Sequence, residues 1–280
     1  MKSQVLRKFE SKLEDMNDQL CYFLFSDIEV NNIFSELEHD ISDSYTTEVY
    51  PENKFSDRLH IKIEALPAFR TKAFHTLVSM SVIASVEYLL SYIEEVEGIR
   101  ANIMPSVHDE ITDKKPEEQL NLKLRHWLGK DPESAIIKTI AYLRLRRNHI
   151  AHVREEMSDG YRSLIKNDSN HLNTYWAKQS TKLNGFDFSK KTYDEFEVND
   201  VFALINLSRV CMREIDSLVL STISEESIAS YELPRFLANK KLNGLTVEVK
   251  SRKFAAFLQH QYGKKMSCAD ALLRDHMENA

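Results

Sequence analysis

Between Leu143 and His152 the chain reads Leu-Arg-Leu-Arg-Arg-Asn-His-Ile-Ala-His, a density of guanidinium, amide and imidazole groups found nowhere else in the 280 residues. These are the groups that phosphodiester chemistry uses. A neutral imidazole near physiological pH takes a proton from a hydroxyl or returns one to a leaving group. Arginine stays cationic and grips phosphate through two parallel donors, stabilising the extra charge of a phosphorane. Asparagine orients the imidazole or donates to a phosphate oxygen. On a helix Asn148 and His152 lie about 40° apart, on one face. Arg147 and His152 are about 140° apart, and a long guanidinium stem can wrap toward the same groove. Arg144 and Arg146 divide between solvated surface and substrate contact. No carboxylate cluster of the kind a two-metal nuclease needs accompanies them. His149 and His152 lack a cysteine or carboxylate at ligand spacing, so no metal or other cofactor is expected. Histidine with arginine and no metal points to RNA, whose own 2′-hydroxyl is the nucleophile. The plainer reading of Arg147 and His152 is a structural pair fixing a helix bend, and of Asn148 a helix-capping hydrogen bond.

These residues must be carried by a helix. Ile136, Ile140 and Leu143 mark the apolar face of one spanning Pro132–Glu156, with Asp131 as its cap and Pro132 in its first turn. Val5, Phe9, Leu13, Met16 and Leu20 give an amphipathic helix over 2–24, and a second helical piece follows over Asn31–Asp43. Phe74–Val96 is apolar on most sides, as a central helix is. Helices are also expected over Glu117–Leu128 and Val198–Ile223. Leu59–Ile63 and Leu245–Val249 alternate as short strands do, and Gly160–Lys191 reads as polar and irregular.

Composition narrows the classes. Six glycines stand no closer than 19 positions apart, which excludes the dinucleotide fingerprint, the P-loop and the nucleophile elbow. Six prolines do not make a turn-rich β-sandwich. A net charge of −6 is the wrong sign for non-specific coating of nucleic acid, although Arg235–Ala280 holds nine basic against four acidic residues. Three scattered cysteines read as reduced thiols of a cytoplasmic protein. The N-terminus lacks the apolar run of a signal peptide. Leu77–Ile93, interrupted by Glu87 and four serines, reads as a buried helix rather than a membrane span.

Arg147-Asn148-His149-Ile150-Ala151-His152 resembles the signature of the HEPN superfamily (higher eukaryotes and prokaryotes nucleotide-binding domains): arginine, often followed by asparagine, then histidine after four to six residues. The resemblance covers about residues 66–225. It implies an all-α bundle with two long antiparallel core helices, Phe74–Val96 and Pro132–Glu156, and Val198–Ile223 packed behind them. The chain then divides into a helical extension (1–65), the HEPN-like domain (66–228) and a small basic C-terminal appendage (229–280). Many members are metal-independent endoribonucleases whose active site forms where two motifs meet across a homodimer, and many act as toxins or antiviral effectors with an antitoxin or sensor partner. Many also carry an acidic residue on the first core helix, the place held here by Glu87. Members controlled by adenylylation carry a tyrosine two residues after the histidine; Arg154 stands there, which speaks against that control. The resemblance equally admits a non-catalytic module that dimerises and binds a nucleotide or a partner protein.

Overall fold

A computed structural model describes residues 2–106, 114–151, 156–179, 183, 185–190 and 197–278, with the backbone alone for 34–40. Among these residues the chain is all-α, and the only β contact is an isolated bridge between Tyr45 and Lys62. Helix α1 runs unbroken over Gln4–Ile41, capped by the Ser3 hydroxyl, which accepts from the Leu6 amide. The two helical pieces expected there are therefore one. Short turns α2 (Thr46–Val49) and α3 (Ser56–Leu59) and a 3-10 turn (Ile63–Ala65) lead to α4, Leu66–Ile103. Then come α5 (Pro116–Leu128), α6 (Ser134–Ala151), α7 (Asp159–Ala177) and α8 (Val198–Ser221), followed by α9 (Glu225–Leu237), α10 (Val247–Tyr262) and α11 (Ala269–Glu278).

Helix α4 is the hub, packing against α1, α6 and α8. Lys8 of α1 pairs with Glu95 of α4, and Asp27 with Arg70, so the two long helices run antiparallel. One apolar core takes in Leu6, Phe9 and Leu13 from α1, Val82, Val86, Leu89 and Tyr92 from α4, Ile140 and Leu143 from α6, and Leu204, Leu207 and Met212 from α8. The first helix thus contributes to the same core as α4 to α8. A second cluster begins at Leu220 in the last turn of α8 and is built from Ile228, Leu233, Phe254, Leu258 and Leu273 of α9 to α11.

A buried polar network fastens the N-terminus to both. Asp216, fully buried on α8, accepts from the Ser3 amide (2.9 Å), the Ser3 hydroxyl (2.5 Å) and the Tyr92 hydroxyl (2.9 Å). Glu10 lies buried between Lys2 and Arg213, each 2.5 Å away. The Lys2 amide donates to the Tyr262 carbonyl at the end of α10, and Arg7 donates to the His260 carbonyl. Gly263 turns the chain there at φ +67°, where a Cβ would meet the Lys2 backbone at 3.1 Å.

Four local expectations are corrected. Leu245–Val249 is not a strand: α10 begins at Val247, with Thr246 at its N-cap position, and the helical spacing of Val247, Ser251, Phe254, Leu258 and Tyr262 overrides the short alternation. Leu59–Ile63 is not a strand either. His60 takes a left-handed backbone (φ 31°), stacks on Tyr45 at 4.7 Å and bonds the Thr47 hydroxyl, which breaks the extension. The polar stretch after Gly160 is largely α7, seated by Tyr161, Ile165, Leu172 and Trp176. In α6 the first helical residue is Ser134, two beyond Pro132, and Asp131 is occupied by Arg125.

Candidate functional site

The last turns of α6 carry the Arg–Asn–His string, and each side chain meets a different environment. Thr139, Tyr142, Leu143 and Arg146 fall on the buried face at steps of three and four, so Arg146 points into the protein and is fully buried. It donates to the Tyr142 hydroxyl (2.6 Å) and lies over the Tyr142 and Phe186 rings. Burial works against its charge, but Tyr142, Tyr161 and Asp200 more than offset this, and its pKa stands above the usual arginine value. Arg146 is therefore a structural cation inside the fold, not the surface or substrate contact expected of it. Arg144 is likewise spent: its guanidinium forks onto Glu117 of α5 at 2.7 and 2.6 Å, and both side chains are nearly buried. That bidentate pair ties α5 to α6 across the loop that Gly129 opens with a left-handed cap.

Arg147, the next residue, faces outward at 29% exposure. It forms an ion pair with Glu87 of α4, whose side chain is 42% exposed, and donates to the Asn148 side-chain carbonyl at 2.7 Å. The structure thus gathers three of the expected site residues, Glu87, Arg147 and Asn148, where α4 and α6 touch. An ion pair this open contributes no more than about 1 kcal/mol to stability. Its main effect is to fix the direction of the guanidinium, with the Asn148 carbonyl as the second anchor. Asn148 thereby keeps its two amide donors for another acceptor. His149 sits partly buried with its ring 6.4 Å from that of Tyr161. His152, with Arg154, lies outside the described residues.

Beneath the motif, Tyr142 meets Tyr161, Phe186 and Phe188 edge-on at 4.9 to 6.1 Å, and the Trp176 indole donates to Thr139 at 2.9 Å. This aromatic floor underlies the outer half of α6, beneath Arg147. Sequence reasoning missed Tyr142, Tyr161, Phe186, Glu117 and Asp200 as supports. The signal open to it was the core period of α6, which assigns position 146 to the buried face; Tyr142 lies one turn away, and the other partners arrive from 15 to 54 residues away with no local signature. Among the described residues no three His, Cys, Asp or Glu side chains gather as a metal group would. Two cavities of about 420 and 440 Å³ flank α1, and neither is lined by the motif. Comparison with protein-family models, curated proteins and solved structures finds no match to this chain.

Proposed function

We propose that the chain is a metal-independent endoribonuclease of the HEPN type, a cytoplasmic effector of the toxin or antiviral kind that works as a homodimer. The observation that carries this reading is the half-exposed cluster of Glu87, Arg147 and Asn148, with Asn148 four positions before His152 in the sequence. In the reaction, His152 takes the proton of a ribose 2′-hydroxyl, and the freed oxygen attacks the adjacent phosphorus. Arg147 holds the phosphorane's equatorial oxygens, and Asn148 directs an amide donor to the phosphate or the imidazole. The 5′-oxygen leaves with a proton donated by the imidazolium of the partner subunit's His152, giving a 2′,3′-cyclic phosphate and a 5′-hydroxyl. Glu87 keeps Arg147 aimed. A dimer in which two motifs meet would supply a pair of arginines and a pair of histidines to one phosphate. Among the described residues one stretch, Ile63–Ile103 (α4 with the turn before it), is long and apolar enough to cross a membrane; its packing against α1, α6 and α8 is that of a core helix.

Cleavage should persist in EDTA, fail on DNA, and fail on RNA methylated at the 2′-oxygen of the cut position. Activity lost in chelator and restored by a divalent ion would overturn the mechanism. One observation favours the non-catalytic alternative: Arg147 is already engaged by Glu87 and Asn148. In that case no RNA is cut under any condition, and His152→Ala weakens binding of a nucleotide or protein partner.

A further inference from the structure

Soluble proteins scatter their exposed apolar side chains, and a concentration of them marks an interface. Twelve large apolar side chains stand open to solvent among the described residues, and ten of these fall between positions 22 and 80, on the outer halves of α1 and α4 and the turns between them. On α4 two of them, Phe69 and Met80, share one face with the exposed Ala73 and Thr76 and the half-buried Ile83. Phe69, Ala73, Thr76, Met80 and Ile83 follow one another at steps of four and three, diametrically opposite the buried Val78, Val82, Ser85, Val86 and Leu89. Two heptads of that spacing on an open helix face form the seam on which another helix packs. Beside the seam, Phe23 and Val30 of α1 and Leu66, Phe69 and Ala73 of α4 line the apolar cavity of about 420 Å³.

We propose that a second copy of this chain covers this surface, α4 lying antiparallel on α4 about a two-fold axis near Thr76. Shape supports the choice: such an axis sets the small Ala73 against the large Met80 of the partner subunit, and Phe69 against the partner subunit's Ile83. Charge supports it too. Residues 13–33 of α1 hold five acidic residues and no lysine or arginine, whereas residues 66–86 of α4 hold Arg70 and Lys72 and no acid. Arg70 is held by Asp27 and Asn31 of its own α1, so Lys72 is the cation that draws each α4 over the acidic α1 of the other copy, and the two α1 helices repel one another to opposite corners of a four-helix arrangement. The same acidic α1 repels an anionic bilayer. About 33 Å of helix separates the two copies of Glu87 in this pairing. The contact is therefore distinct from a meeting of the two motifs and stands whether or not the protein is a nuclease.

Sedimentation equilibrium of the full chain at tens of micromolar should give a multiple of 32.6 kDa. Met80→Glu and Ala73→Glu, both at open positions, should halve that mass with helix content unchanged, and the melting temperature should lose its dependence on protein concentration. Thr76→Cys, in a Cys21→Ser background that removes the exposed native thiol, should cross-link two chains on mild oxidation. A monomeric wild type, a mass unchanged by both glutamates, or no cross-link at position 76 would overturn the proposal. So would a monomer that floats with phosphatidylcholine/phosphatidylglycerol vesicles. Loss of RNA cleavage with the mass intact would count against the nuclease reading alone.

Discussion

Arg146 and Arg147 are neighbours with opposite fates, and the difference is one step of helical rotation. Arg146 spends its charge on a tyrosine hydroxyl within the core, while Arg147 meets a carboxylate at the surface. Substitutions should separate them cleanly. Arg147→Ala should leave the melting temperature within a degree or two and reduce RNA cleavage by about 10²–10³-fold, the usual loss for a removed transition-state donor. Arg147→Lys should recover only part of this, since lysine lacks the planar fork. His152→Ala should cost about 10²–10⁴-fold, and Val153→Ala should be nearly silent. Equal RNA degradation by wild type and a folded His152→Ala protein would refute the assignment. Composition made the string legible at this scale, because Arg147, Asn148 and Glu87 do come together. The roles of Arg144 and Arg146 were not legible. A basic residue in a sequence carries no mark of whether its counter-charge lies in solvent or on a distant helix, as Glu117 and Asp200 do here.

Elements were readable where apolar residues recur strongly and hidden where a few anchors suffice. The helices around Val82, Ile140 and Met212 follow directly from periodicity. Helix α7 did not, because Tyr161, Ile165, Leu172 and Trp176 are spread among serines, asparagines and lysines, and only the aromatic floor under α6 gives them a partner. The most demanding junction between elements is Asp216, a buried carboxylate with three donors from α4 and the start of α1. Asp216→Ala leaves the Ser3 amide and the Tyr92 hydroxyl buried without their acceptor, and each such group costs about 1–3 kcal/mol. Chemical denaturation should show a loss of about 3 kcal/mol. Tyr92→Phe, which removes one donor and leaves the carboxylate two others, should cost about 1 kcal/mol. A near-neutral Asp216→Ala would mean that the N-terminus is not held as described.

For the whole molecule, acid should act through the same corner. Burial alone would raise the pKa of Glu10, but its hydrogen bonds and charge contacts with Lys2 and Arg213 prevail and hold it below the ordinary 4.5. A carboxylate depressed in the folded state contributes stability above its unfolded pKa and loses it as pH falls through the folded value. The melting temperature should therefore be level from neutral pH to about 5 and fall below 4.5. Arg213→Ala should lower it at neutral pH and shrink the acid-dependent drop. An identical acid profile in wild type and Arg213→Ala would remove Glu10 from that account.

Ser3 meets Asp216 across 213 positions of chain, and Arg7 meets His260 across 253. During synthesis the first helix therefore emerges long before its clamps exist. At 5–20 residues per second, Ser3 waits roughly 10–40 s for Asp216 to be made. Throughout that interval Leu6, Phe9 and Leu13 have no α8 to cover them, and the apolar outer half of α1 is bare as well. Such a nascent chain invites chaperones and premature association between ribosomes on one message, and this corner of the fold closes only after the residues around His260 have left the exit tunnel.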